Sequence, residues 1–175
     1  MRPVKYSVAM SLDGYIADPD GGYDWIIDDP TIDLAAQFKS FDAMLVGRRT
    51  YEVMQAAEGS PQMPGMDIYV FSRTLKPEDH PEVTIVSDDA EATVAALRER
   101  PGNDIWLMGG GDLFRSLLGA GLVDAVEVAV IPVLLGGGIP LLPPPATSTQ
   151  LKLTHTKTYP SGIISLSYTV DRPSA

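Results

Sequence analysis

Three runs of strand-forming residues in this chain end directly on a polar or glycine-rich motif. They are AMLV into GRRT (43–50), DIYVF into SRT (67–74) and DIWLM into GGGD (104–112). GRRTYEVM and GGGDLFRSLL then continue as helix-forming sequence, the order in which a strand passes into a crossover helix. Strands joined by crossovers of this kind are parallel, and their ends share one edge of a sheet. All three motifs therefore fall at the carboxyl edge, where open α/β sheets bind ligands.

The rest of the chain fits around that frame. Val4 to Met10 reads as a first strand, followed by a long polar loop, SLDGYIADPDGGYDWIIDDP (11–30), with glycines, prolines and many aspartates. A helix is expected from Thr31, because Leu34, Phe38 and Phe41 repeat at the i, i+4, i+7 spacing of one buried face. VTIVS (83–87) is a strand, and Asp88 or Asp89 caps a helix that runs to Arg100 and ends at Pro101, Gly102 and Asn103. The run from Val123 to Val133 is apolar enough for a strand buried on both faces. LKLTHTKTY (151–159) and GIISLSYTV (162–170) alternate strictly and meet through PSG, which predicts an antiparallel hairpin at the sheet edge. The predicted fold is a single α/β domain over residues 1–175. It has an eight-stranded, mixed but mostly parallel sheet, about four flanking helices and a C-terminal antiparallel hairpin.

Composition narrows the function. A formal charge of −10 and a pI near 4.5 repel nucleic acid and anionic membranes, so neither is an expected partner. With no cysteine there is no disulfide and no thiolate chemistry. The two histidines are weak signals: His80 reads as loop surface, and His155 as a buried structural histidine on the face of Leu151 and Leu153. No set of metal ligands is present. The chain enters a strand-like run at once, and the apolar stretch 125–135 is broken by Glu127 and Pro132, so a cytoplasmic protein is expected.

In so acidic a chain an anionic ligand must be held by a local group of cations. Gly47 to Thr50 and Gly109 to Asp112 each open a helix, offering free backbone N–H groups and the positive end of a helix dipole. Arg48, Arg49 and Arg73 add full charges, and Arg73 between Ser72 and Thr74 can fork onto a phosphate monoester. Taken singly, the glycines read as a tight turn and the arginines as surface pairs. Together they point to a dinucleotide, and to NADP(H) over NAD(H). It is not a Rossmann site, because Phe114 stands where the third glycine of G-x-G-x-x-G belongs, and a P-loop lysine is missing.

SVAMSLDGYIA, MLVGRRTYEVM, VFSRT, WLMGGGDLFRSLLGAGLVD and IPVLLGGGIPLLP, in that order, resemble the dihydrofolate reductase-like superfamily. Within it they resemble proteins containing the C-terminal reductase domain of the riboflavin-biosynthesis deaminase-reductase. The resemblance implies NADPH lying across the strand ends. Ala9, Ile16 and Ala17 would flank the nicotinamide, and Gly47, Arg48, Arg49 and Thr50 would hold the pyrophosphate side. Ser72, Arg73 and Thr74 would take the 2′-phosphate and adenosine, and Gly109, Gly110, Gly111, Asp112 and Leu113 the phosphates. The aspartate-rich loop resembles a lid over nicotinamide and substrate.

Two carboxylates are candidates for the chemistry. Asp33 stands nearly where dihydrofolate reductases carry a pterin-binding carboxylate, with one extra residue on each side of the motif; it is either that acid or an exposed aspartate at a helix start. Asp13, in SLDG, is either catalytic or a turn former. Trp25 either stacks on substrate or anchors the lid. Tyr15 and GRRTYE depart from the riboflavin branch, which has lysine and G-A-G-T there. The implied activity is NADPH-dependent hydride transfer to a pyrimidine- or pteridine-type heterocycle, the partner being that small molecule, with a homodimer left open. By resemblance it is the 5-amino-6-(5-phosphoribosylamino)uracil reductase. Dihydrofolate reduction is the alternative, and a non-catalytic nucleotide-binding or interaction protein is the rival of another class.

Overall fold

In the computed structural model, which describes residues 1–58 and 63–171, the chain runs through ten strands and four α-helices. The first strand, β1 (Val4–Ser11), enters the middle of the sheet, and the chain turns back into the short β2 (Tyr15–Ala17). Beyond the long loop come α1 (Leu34–Phe38), β3 (Phe41–Gly47) and α2 (Arg48–Glu58). Then follow β4 (Asp67–Phe71), a 3-10 turn at Pro77–Asp79, β5 (Thr84–Val86), α3 (Ala90–Glu99), β6 (Asp104–Gly109) and α4 (Gly111–Gly119). The last strands are β7 (Ala125–Ile131), β8 (Ile139–Pro140), β9 (Leu151–Thr158) and β10 (Ile164–Val170).

Eight strands form one sheet in the order β5-β4-β3-β6-β1-β7-β10-β9, and β2 pairs with β8 in a two-stranded ribbon. The first six are mutually parallel, β10 runs against β7, and β9 against β10. Burial on both faces explains why these strands are so apolar. On one face Val4, Tyr6, Leu45, Leu107, Val126 and Val128 pack with Val94 and Leu97 of α3 and Phe114 and Leu117 of α4. The opposite face packs Met44, Val46, Ile68, Val70 and Trp106 with Tyr51 of α2 and Phe38 of α1. No helix among the described residues is long and apolar enough to cross a membrane.

The eight-strand count, the four helices and the C-terminal hairpin match the expectation from the sequence; several details do not. α1 starts at Leu34, three residues later than expected, and is only five residues long. Phe41 opens β3 and reaches the core from there, and of the helix Phe38 packs on Trp106, at 5.1 Å between ring centroids. β7 is fully buried only at Val126, Val128 and Ile131. β9 is exposed along its whole length. His155 therefore is not buried, and it does not share a face with Leu153. Tyr168 pairs with Leu153 and Ser167 with His155, so Thr154 is the extra residue of a bulge that reverses the alternation.

One buried ion pair ties the helical layer to the sheet. Arg98 on α3 is 7% exposed, and its Nη2 donates to both carboxylate oxygens of Asp124 at 2.9 Å. Asp124 Oδ2 also accepts from the backbone N–H of Val4, at the start of the central strand. Removing one member of such a pair strands the other charge in the core. Asp124→Ala is expected to cost about 3 kcal/mol of stability, read as a lowered midpoint in urea unfolding at neutral pH.

Candidate functional site

The sheet order puts the three sequence motifs side by side. β4, β3 and β6 are neighbours, and Val46 lies opposite Gly109, so the chain leaves all three strands at one edge. The turns from β3 into α2 and from β6 into α4 are in contact. A Cβ on Gly47 would lie 3.5 Å from the Gly110 nitrogen, and one on Gly110 would lie 3.3 Å from Thr50 Oγ1. Gly109 has φ +135°, a conformation side chains rarely adopt, and the peptide joining it to Gly110 is cis. Gly111 is required for space: its Cβ would meet Pro143 Cδ at 2.7 Å and the Pro140 carbonyl oxygen at 2.9 Å. The three glycines thus have three different reasons to be there.

Gly110 caps α4 with no side-chain hydrogen bond, so the first N–H groups of that helix, around Gly111, Asp112 and Leu113, have no side chain to satisfy them. Arg49 and Arg73 are exposed and, among the described residues, form no ion pair. Arg48 differs, since its Nη1 donates to Glu52 Oε1 at 2.8 Å one turn along α2. Ser72 is buried, and its Oγ accepts from the N–H groups of Thr74 (3.2 Å) and Leu75 (3.0 Å), a turn that sets Arg73 at the tip of the chain leaving β4. An uncapped helix end, a side-chain-free turn against Thr50 and two unpaired arginines are the donor set a dinucleotide phosphate requires. The residues present therefore fit NADP(H).

Beside this edge the sheet offers an open floor. Ala9 lies opposite Ala129, which lies opposite Ser165; Ser7, Glu127 and Ser167 form the row below. All six are half-buried, and five of them, Ser7, Ala9, Ala129, Ser165 and Ser167, carry small side chains, while Glu127 lies 3.7 Å from the Lys5 ammonium. Gln37 of α1 reaches over this floor, its Nε2 donating to Ser7 Oγ at 3.4 Å, while Trp106 Nε1 donates to the Ser7 carbonyl at 2.9 Å.

The carboxylates expected to act chemically occupy distinct places. Asp33 is the exposed N-cap of α1: its Oδ1 accepts from the Ala36 N–H at 2.9 Å, so it does not lie in a closed apolar pocket. Asp13 accepts from Ser11 Oγ (2.7 Å), Leu135 N–H (3.1 Å) and Gly136 N–H (2.7 Å). The Ser11 hydroxyl above all, and then the two backbone donors, hold its carboxyl below the usual carboxylate range. Asp13 thus clamps the start of the loop to the 135–136 segment. Ile16 and Ala17 lie on β2, half-buried against β8. The Trp25 indole N–H donates to the Gly22 carbonyl at 3.2 Å, which ties it to its own loop.

Asp29 and the Tyr51 cluster were not legible in the sequence. Asp29 is 8% exposed; its Oδ1 accepts from Thr31 Oγ1 (2.5 Å) and Thr31 N–H (2.9 Å), and its Oδ2 from the Ser161 N–H (3.0 Å) in the β9–β10 turn. It fastens the end of the long loop to the hairpin, 132 residues away. One aspartate among many in a polar loop gives no signal of that contact. His80 is not loop surface: it is half-buried, with Nδ1 3.0 Å from the hydroxyl of Tyr51.

The chain matches the model of the RibD C-terminal domain over residues 2–165. The Bacillus subtilis protein YyaP, itself uncharacterized, is 30% identical over 178 residues, covering 95% of this chain and 94% of YyaP. Among solved structures, a protein assigned to riboflavin biosynthesis in Shewanella sp. PV-4 superposes with a TM-score of 0.82 at 25% identity, over 98% of this chain and all of that one. Enterococcus faecalis dihydrofolate reductase complexed with NADP(H) gives a TM-score of 0.71 at 16% identity, over 97% of each chain, a likeness of fold. The dihydrofolate reductase-like fold is thus established, and this chain belongs to the RibD C-terminal domain family, a family of reductases.

The loop anchor has a pH signature. Hydrogen bonds from Ser161 above all, and from Thr31, hold Asp29 well below the ordinary carboxylate range in the folded chain. A depressed folded pKa stabilises the fold above the unfolded value and loses that contribution as pH falls through the folded one. Asp29→Asn should therefore lower the urea midpoint at neutral pH, and the gap from the unaltered protein should narrow at about pH 3.

Proposed function

We propose that this protein is a cytoplasmic, NADPH-dependent reductase that adds a hydride to a C=N bond of a pyrimidine- or pteridine-type substrate. Membership of the RibD C-terminal domain family favours 5-amino-6-(5-phosphoribosylamino)uracil as that substrate, the C=N then being the imine formed at the exocyclic amine when the ribose ring opens. The observation that carries the reading is the meeting of three motifs, Gly47–Thr50, Ser72–Thr74 and Gly109–Leu113, at one sheet edge beside the open floor of Ser7, Ala9 and Ala129.

Bound there, NADPH would supply the hydride. The N–H groups at the start of α4, with Thr50 and Arg49, would take its pyrophosphate, and Arg73 with Ser72 and Thr74 its 2′-phosphate. Arg48 would have to leave Glu52 or bridge it to the phosphate. Ala9, Ile16 and Ala17 would flank the nicotinamide, and Trp25 would hold the shape of the loop that excludes water. Gln37 and Ser7 have the donors and acceptors to read the polar edge of a flat ring, fixing its orientation. Adding a hydride to the carbon of C=N requires a proton at the nitrogen. Asp33 is the candidate acid, because its Oδ2 has no partner among the described residues.

Dihydrofolate is a weaker substrate reading, because a pterin-binding carboxylate works from a closed pocket and Asp33 is an exposed helix cap. Titration of the protein with NADPH and NADH, followed by nucleotide fluorescence, tests the cofactor assignment. NADPH should bind more tightly, and Arg73→Ala should weaken NADPH by about tenfold or more while leaving NADH nearly unchanged. Equal losses for both nucleotides would remove the 2′-phosphate assignment.

A further inference from the structure

Tyr51 follows the GRRT motif by one position, and its side chain is completely buried. Its hydroxyl is the centre of a cluster of four side chains. It donates to Glu82 Oε1 at 2.9 Å, accepts from Gln55 Nε2 at 2.9 Å and lies 3.0 Å from His80 Nδ1. A phenol has one hydrogen, and here it goes to the carboxylate, so the contact to His80 is made only if Nδ1 carries a proton and donates. The His80 ring stands edge-on to the tyrosine, with centroids 5.4 Å apart. Burial above all, and then Glu82, raises the phenol to about 12, which keeps it a neutral donor over the whole working range.

The partners lie on two elements. Gln55 belongs to α2, whose first turn carries Arg48, Arg49 and Thr50. His80 and Glu82 belong to the connection from β4 to β5, whose first residues are Ser72, Arg73 and Thr74. That connection is closely hydrogen-bonded along its length. Ser72 Oγ accepts from Thr74 and Leu75, Lys76 and Pro77 carbonyls accept from Asp79 and His80, and the His80 carbonyl accepts from Val83. Leu75 packs against the buried cluster that contains Tyr51. A segment braced in this way moves as a unit, and Tyr51 fastens its far end to the helix.

We infer that Tyr51 is a positioning residue for cofactor discrimination: by tying His80 and Glu82 to α2, it sets the distance between the Arg48–Thr50 wall and the Ser72–Thr74 wall, so that Arg73 meets the 2′-phosphate of NADPH. This rests on the NADPH reading above. A phosphate monoester is held by forked, direction-dependent bonds, so misplacing Arg73 weakens NADPH and leaves NADH, which lacks that phosphate, untouched.

Affinities for NADPH and NADH in Tyr51→Phe, which removes only the hydroxyl, test the inference. NADPH should bind about tenfold more weakly and NADH should stay within about twofold, so that the preference collapses without general loss of binding. His80→Asn, whose Nδ2 donates from nearly the place of Nδ1, should keep the preference, while His80→Phe should lose it as Tyr51→Phe does. The histidine pair gives the same readout should Tyr51→Phe fold poorly. An unchanged preference in Tyr51→Phe and His80→Phe, or equal weakening of both nucleotides, overturns the inference while the NADPH reading stands. Failure of the unaltered protein to prefer NADPH overturns both.

Discussion

Everything at the candidate site depends on the contact between two turns, Gly47–Thr50 and Gly109–Gly111. Because β3 and β6 are parallel neighbours, the chain leaves both at the same level, and the turns lie so close that a Cβ on Gly110 would press on Thr50 Oγ1 at 3.3 Å. Two helix starts are thereby brought together, and with them two sets of N–H groups and two positive dipole ends. In so acidic a molecule, this local concentration of donors and arginines is suited to an anion.

Packing on the other side keeps that arrangement rigid. Gly111 admits the 140–143 segment within van der Waals contact, and Asp13 holds residues 135 and 136 against the start of the long loop. Asp29 fixes the loop's other end to the hairpin turn. Between these anchors Tyr23, Ile26 and Ile27 are exposed apolar side chains.

Strand-to-helix motifs were legible in the sequence because a buried parallel strand and its following turn are local patterns: DIWLM and GGGD announce themselves within ten residues. The hairpin was legible for the same reason. What the sequence hid depends on contacts between distant segments. DPTIDLAAQF looked like the start of a longer helix, but Asp33 caps it late and β3 takes Phe41 for the core. His80 looked like surface because nothing local reveals that Tyr51, 29 residues earlier, turns its hydroxyl toward it. His155 was assigned to the wrong face because a one-residue bulge at Thr154 leaves no mark in an alternating sequence. Arg48 was read as a phosphate ligand, and its pairing with Glu52, a product of helix spacing, could have been anticipated.

A crystal structure of the protein grown with NADP+ is the most direct measurement. The nucleotide is expected to lie across the strand ends, its pyrophosphate on the N–H groups of Gly111 to Leu113 and beside Thr50, its 2′-phosphate on Arg73, and its nicotinamide over Ala9. A nucleotide bound elsewhere, or one in this groove with its 2′-phosphate away from Ser72 to Thr74, would contradict the account.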